Sequence, residues 1–298
     1  MRRILIAAAI AALIVGCASL PSRVNGRVAL FTDYGTEGHY VGALKGAIVQ
    51  AWPDVVIDDV THGVPAFDIA GGSFLLASAS REWPLGTVFV VVVDPGVGTA
   101  RRSVALETGN GLIFVGPDNG IFTHVIQEFG LVRIHEITNE SLFRPGALSS
   151  TFHGRDVYGP LGAHLASGLP LRAVGPALES AVLLRVEEPR IAEGEVNGQV
   201  VFTDHYGNVM TNIPAEMLDE MGVEVEDRLI ITTDIQMRTV PFVHTYASVP
   251  DGSPLALINS QGLLELAVNQ GSMAEEIGVA TGDMLRIRPE GFPPEGSP

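Results

Sequence analysis

Four consecutive valines, Val90 to Val93, run directly into Asp94-Pro95-Gly96-Val97-Gly98. A β-branched run with no polar alternation describes a strand covered on both faces, as in a parallel sheet flanked by helices. Proline and two glycines then stop the strand, so Asp94 is expected at its C-terminal end, where open α/β sheets hold their ligands. Arg101 follows seven positions later, close enough for the Gly-rich loop to fold its guanidinium onto Asp94. A carboxylate beside such a cation is favoured in its charged form. Taken alone, the segment is equally an Asp-Pro-Gly turn with a surface arginine, because turns use these residue types.

The elements around it repeat one theme. Val28 to Phe31 reads as a strand ending at Thr32-Asp33-Tyr34-Gly35, and a helix is predicted from Val41 to Trp52, with apolar positions at Val41, Leu44, Ile48 and Val49. Val55 to Ile57 is a second strand, with Asp59, Thr61 and His62 beyond it. An Ala-rich helix is predicted from Phe67 to Ser80, closed by Trp83-Pro84, before the valine strand. This strand-helix order implies right-handed crossovers in a mainly parallel sheet. Each strand ends in polar groups: Asp33, then Asp59 and His62, then Asp94. Further on, Leu112 to Val115 is a short strand before the turn Gly116-Pro117-Asp118-Asn119-Gly120. Ser150 to Asp156 leads into a helix through Tyr158 to Ala166, which puts His153 near a helix N-terminus.

From Glu187 to Gly198 the composition turns charged and glycine-containing, and a domain boundary is placed there. Beyond it come short predicted strands: Gly198 to Thr203, Leu229 to Thr232, Leu255 to Ile258 and Met284 to Ile287. Helical pieces are predicted at Ala215 to Met221 and Leu264 to Asn269. The expected architecture is α/β: an N-terminal α/β domain at 27–186 with a mainly parallel sheet, then a smaller C-terminal β-barrel domain at 198–290.

Charge and cysteine usage narrow the function. A formal net charge of −16 argues against a nucleic-acid partner on electrostatic grounds, and a single lysine, Lys45, leaves no polybasic membrane patch beyond the first few residues. Residues 1–16 have the form of a signal peptide: Arg2 and Arg3 precede an apolar run from Ile4 to Val15 that is short for a membrane span. Ile14-Val15-Gly16-Cys17 resembles the lipobox of bacterial lipoproteins, and Cys17 is the only cysteine. The expectation is an exported protein, anchored in a bacterial membrane through lipid (palmitate-type) acylation at Cys17. No Gly-x-Gly-x-x-Gly, Walker loop, Gly-x-Ser-x-Gly elbow or His-Glu-x-x-His is present. Weak metal signals are His62 with Asp68 and His153 with Asp156.

Phe31-Thr32-Asp33-Tyr34-Gly35, Thr61-His62, Val93-Asp94-Pro95-Gly96-Val97-Gly98-Thr99, Pro117-Asp118-Asn119-Gly120, Phe152-His153-Gly154-Arg155-Asp156 and Asn259-Ser260 occur in this order. Together they resemble the S-adenosylmethionine hydroxide adenosyltransferase family, relatives of the fluorinases and chlorinases, over roughly Arg27 to Arg288. The resemblance implies a homotrimer with active sites between subunits and hydrolysis of S-adenosyl-L-methionine to adenosine and L-methionine, with no cofactor. It places the family's catalytic triad on Asp94, Arg101 and His153, with Asp94 and His153 holding and deprotonating water. Asp33 falls on the ribose-binding position, and Phe67, Tyr206 and Tyr246 on aromatic positions around ribose and adenine. Asn208 falls on the adenine edge, with Asp204, Ser260 and Glu265 toward the methionine end. The sequence departs from family patterns at Gly38 and His39, and at Gln261, where the halogenases carry arginine. Other readings of the same residues are a nucleoside-binding lipoprotein without turnover and a metal-dependent hydrolase using His62, Asp68 and His153.

Overall fold

The computed structural model describes residues 24–291. The signal-like stretch and Cys17 lie outside the described residues.

Strand β1 (Arg27–Thr32), helix α1 (Tyr40–Ala51), β2 (Val56–Thr61), α2 (Ile69–Ser80) and β3 (Val88–Val92) follow one another. β1 sits between the other two strands and pairs in parallel with both. Then come β4 (Ser103–Thr108), β5 (Ile113–Pro117), α3 (Thr123–Phe129), β6 (Leu131–Glu136) and α4 (Gly159–Ala166). The six strands form one sheet in the order β2-β1-β3-β5-β4-β6. β5 is parallel to β3, whereas β4 runs antiparallel to both of its neighbours.

The valine run behaves as its composition requires: Val90 to Val93 are at most 3% exposed. Alternate side chains serve opposite faces. Val28, Leu30, Val88, Val90 and Val92 pack with Leu44 of α1 and Leu161 of α4. Ala29, Phe31, Phe89, Val91 and Val93 pack with Leu76 of α2 and Val125 of α3. α1, which leaves β1, and α2, which leads into β3, cover opposite faces of the sheet. The strand order switches between β1 and β3, and a crevice lies at their C-terminal ends.

The second sheet is antiparallel. Its elements are β7 (Arg190–Ala192), β8 (Glu195–Thr203), β9 (Val209–Pro214), α5 (Ala215–Glu220), β10 (Arg228–Thr232), β11 (Met237–Pro241), β12 (Pro254–Ile258), β13 (Leu263–Val268), α6 (Met273–Ile277) and β14 (Met284–Pro289). The order is β11-β10-β14-β8-β9-β13-β12, with β7 added on β8. A parallel bridge from Phe242 to Ala256 joins the two ends and makes the sheet barrel-like. Its interior is filled by Val200, Val209, Leu229, Ile231, Leu264, Leu266 and Ile287, among others.

Two local expectations change. Leu264 to Asn269 is not helical. Leu264 to Val268 belong to β13, which pairs with β9 on one side and β12 on the other, and Asn269 lies in the turn beyond it. A run this short, with Leu263, Leu264 and Leu266 around Glu265, fits a helix turn and a buried strand equally. The helix expected from Phe67 starts two residues later, because Phe67 stands at φ 69° and Asp68 caps α2 by accepting the Gly71 N–H. The stretch 187–198, where the sequence places the domain boundary, carries β7 and the start of β8.

Helix α2 links the two sheets. Phe74 packs against Val201 and Phe202, and Ser78 Oγ donates to Gln261 Oε1 at 3.0 Å.

Candidate active site

Asp94 stands two residues past the end of β3, and Arg101 precedes β4. Because β4 runs against β5, its N-terminal end lies at the same edge of the sheet as the C-terminal end of β3. The intervening loop is tight: Val97 N–H donates to the Asp94 carbonyl and Thr99 N–H to the Gly96 carbonyl, both at 3.2 Å. Gly98 has φ 77°, and a Cβ there would run into the Ser150 carbonyl, so glycine is required at that bend.

The loop returns Arg101 onto Asp94. Arg101 Nε donates to Asp94 Oδ1 at 2.6 Å, and Nη2 donates to Oδ2, a two-pronged pair. The same Nη2 lies 3.1 Å from His153 Nδ1. Both charged side chains are nearly sealed, 4% exposed for Asp94 and 11% for Arg101. Beneath them Nη1 donates to Ser103 Oγ at 3.1 Å, which meets the hydroxyl of the fully buried Tyr158 at 3.0 Å. The guanidinium carbon is 5.9 Å from the Tyr158 ring centre.

His153 caps a π-helical turn, Gly154–Tyr158, that leads into α4. Such turns recur at functional sites. A Cβ at Gly154 would strike the Tyr34 hydroxyl, which accounts for glycine after the histidine. Burial, and then the Arg101 cation, hold the His153 imidazolium below its ordinary pKa of 6.5. An arginine can only donate, so Nδ1 is an acceptor and the ring proton is on Nε2.

The cleft around this cluster has a volume of about 380 Å³ and is lined by Asp33, Phe67, Asp94 and His153 together with Tyr34, Tyr40 and Phe152. Asp33 Oδ2 accepts the Phe67 N–H at 3.1 Å, and burial raises the Asp33 pKa above its ordinary value. The three rings meet edge to face or tilted, with centres 5.3–5.8 Å apart. Sequence reasoning named none of the three as lining. Two of them were visible inside quoted motifs, as neighbours of Asp33 and His153.

The remaining expected residues gather in the barrel. Asp204, Tyr206, Asn208 and Tyr246 line a second cleft of about 730 Å³ with Val268 to Ser272. Asp204, Tyr246, Ser260 and Glu265 line an adjoining one of about 340 Å³. Asp204 shapes its own turn, accepting the Tyr206 and Asn208 N–H groups, each at 2.9 Å, and Asn208 Nδ2 at 3.0 Å. That turn leaves Tyr206 67% exposed. Tyr246 donates to the buried Glu265 at 2.5 Å, and burial keeps Glu265 above the usual carboxylate range. Val268 to Ser272 were missed because the helix expected at Leu264 to Asn269 hid the loop.

The structure therefore brings Asp33, Phe67, Asp94, Arg101 and His153 together, and Asp204, Tyr206, Asn208, Tyr246, Ser260 and Glu265 together. It does not join the two groups within one chain: among the described residues none lines both the Asp94 cleft and a barrel cleft. The possible metal ligands disperse. His62 bonds Thr32 and Asp59, Asp68 caps α2, and His153 faces Arg101. Among the described residues no three His, Cys, Asp or Glu side chains form a group that could hold a metal ion.

Fold and cleft define a two-part α/β and barrel protein whose crevice holds a carboxylate–guanidinium–imidazole cluster. Residues 28–175 match the SAM hydroxide adenosyltransferase N-terminal domain and residues 198–286 the C-terminal domain of the same family. The chain is 38% identical over 265 residues to the (R)-S-adenosyl-L-methionine hydrolase of Salinispora tropica, covering 87% of this chain and 97% of that protein. It is 36% identical over 268 residues to the protein of the same name in Thermus thermophilus, covering 87% and 98%. It is 31% identical over 291 residues to the fluorinase of an Actinoplanes species, covering 88% and 97%. A solved structure of an uncharacterized conserved protein from Thermotoga maritima matches with a TM-score of 0.83 at 38% identity, covering 88% of this chain and 99% of that one. The chain belongs to the SAM hydroxide adenosyltransferase family.

Proposed function

We propose that this protein hydrolyses S-adenosyl-L-methionine to adenosine and L-methionine by attack of water on the ribose C5′. The observation that carries the reading is the hydrogen-bonded Asp94–Arg101–His153 cluster in the cleft at the β1 and β3 exits. The sulfonium is already a good leaving group, so the protein has to supply placement and an aimed nucleophile. Placement of this kind is worth about 7–11 kcal/mol in favourable intramolecular systems.

The three side chains divide the task by their donor and acceptor capacity. Arg101 occupies one acceptor site on each Asp94 oxygen, which leaves lone pairs for the hydrogens of a water. His153, with its proton on Nε2, donates to the water oxygen. One oxygen lone pair is left for C5′. As the C5′–O bond forms, the C5′–S bond breaks and its electron pair returns to sulfur as neutral methionine thioether. The attacking oxygen turns acidic as it bonds carbon and releases its proton to Asp94. His153 therefore orients the water and Asp94 takes the proton, a narrower role for the histidine than joint deprotonation.

Asp33 accepts from the ribose hydroxyls, and Phe67, Tyr206 and Tyr246 flank ribose and adenine. Asn208 reads the adenine edge, while Asp204, Ser260 and Glu265 serve the methionine end. Since these groups occupy separate clefts in one chain, the reading includes a homotrimer in which the barrel of one subunit completes the Asp94 cleft of its neighbour. It also includes export and lipid anchoring through Cys17 in a bacterial membrane, supported by Arg2, Arg3 and the apolar run before it. Among the described residues no helix is long and apolar enough to cross a membrane.

The test is incubation of the purified protein, without added cofactor, with S-adenosyl-L-methionine, following adenosine and methionine. Equal amounts of both products support the reading. Tight nucleoside binding without turnover would mark a binding lipoprotein instead. Cys17→Ser should move the full-length protein from the membrane to the soluble fraction, and unchanged membrane association overturns the anchor.

A further inference from the structure

The fold buries one histidine that the proposed chemistry does not use. His62, just past β2, is 8% exposed. Its Nδ1 lies 2.8 Å from Thr32 Oγ1 and its Nε2 3.0 Å from Asp59 Oδ1. Asp59 Oδ2 accepts from Lys45 Nζ at 2.6 Å, the single lysine of the chain. Thr32 Oγ1 in turn accepts the Tyr34 N–H at 3.2 Å. The Asp59 carboxylate can only accept, which puts the imidazole proton on Nε2, facing Asp59, and leaves Nδ1 to accept the hydrogen of the threonine hydroxyl. Every donor along the line from Tyr34 to Asp59 has an acceptor.

The line ties together three elements that carry the cleft. Thr32 ends β1, Asp59 and His62 belong to β2 and its exit, and Lys45 is on α1. The backbone is clipped at the same place, with Gly35 N–H donating to the His62 carbonyl at 2.7 Å. One residue beyond Thr32 is Asp33, and five beyond His62 is Phe67, whose N–H holds Asp33 Oδ2. Phe67 has φ 69°, a conformation costly for a bulky residue that persists only where its surroundings impose it.

We propose that His62 is a positioning residue: through Thr32 and Asp59 it fixes the β1 and β2 exits so that the Asp33 carboxylate is held for the ribose 2′ and 3′ hydroxyls. This rests on the reading of the cleft as an adenosyl site. His62 touches no substrate atom in this role. Its contribution is therefore specific to ligands that carry those hydroxyls, which separates it from a histidine that only stabilises the fold.

The experiment measures binding of adenosine and of 2′,3′-dideoxyadenosine by calorimetry, and kcat and KM for S-adenosyl-L-methionine. It compares the full-length protein with His62→Ala, His62→Gln and the isosteric Thr32→Val, which keeps the fold should the alanine variant not. Adenosine binding and KM should weaken about tenfold in His62→Ala, the scale of one misplaced hydrogen bond to a charged group, with kcat nearly unchanged. Dideoxyadenosine binding should not move, His62→Gln should recover part of the loss, and His62→Ala should add nothing to Asp33→Ala. Equal weakening of both nucleosides, or full discrimination retained in Thr32→Val and His62→Ala, overturns the proposal. Failure of the unmodified protein to bind either nucleoside overturns the adenosyl reading itself.

Discussion

The cleft at the β1 and β3 exits and the clefts of the barrel are built by different means. In the first, charged groups stand at the ends of buried strands and are locked to one another: Asp94 and Arg101 are nearly sealed, and Tyr158 and Ser103 brace the guanidinium from below. In the second, the functional groups other than Glu265 of β13 ride on turns and loops. Asp204 ties its own loop, and Tyr206 stands out into solvent. The contrast teaches where precision is needed. Aiming a nucleophile tolerates little displacement, whereas gripping a flat base tolerates more and gains from aromatic area.

Substitutions at the two places should therefore fail differently. Asp94→Ala should lower kcat by about 10²–10⁴-fold, the usual range for losing a proton acceptor, with KM little changed; near-normal turnover removes Asp94 from the mechanism. Arg101→Lys keeps the charge but loses the two-pronged grip, and steady-state kinetics should show a fall in kcat of about 10²-fold, the scale of a small misplacement. In the barrel, Tyr206→Ala should raise KM and spare kcat, since stacking on a base is worth about 1–3 kcal/mol. A kcat loss as large as that of Asp94→Ala would erase the distinction between the two regions.

The smallest effect concerns protonation. His153 must stay neutral to accept from Arg101, and burial and Arg101 both lower its pKa from 6.5. Activity should thus hold through neutral pH and fall only on acidification past that lowered midpoint. Histidine NMR should place the titration of His153 below 6.5, and Arg101→Gln should move it upward because a cation that opposes protonation is gone. A midpoint above the ordinary value would contradict the assigned tautomer.

Much of the first region was legible because strand chemistry is local. A valine run ending in Asp-Pro-Gly names both a buried strand and the residue at its tip, and the spacing to Arg101 told that a loop could return. The meeting of His153 with Arg101 was not local; only the family resemblance joined them. The barrel was less readable. Leu264 to Val268, apolar but for Glu265, is too short to reveal its period, so the loop Val268 to Ser272 and its cleft stayed hidden. The strain at Phe67 was invisible too, since it is imposed by Asp33 and the start of α2.

Turnover in ¹⁸O-labelled water tests the role of the Asp94 cluster most directly. Attack at C5′ puts the label in the 5′-hydroxyl of adenosine and leaves the methionine unlabelled, and Asp94→Ala slows formation of the labelled adenosine by about 10²–10⁴-fold. Label in the amino-acid fragment, or labelled adenosine formed equally fast by Asp94→Ala, would show that water is aimed elsewhere or by other groups.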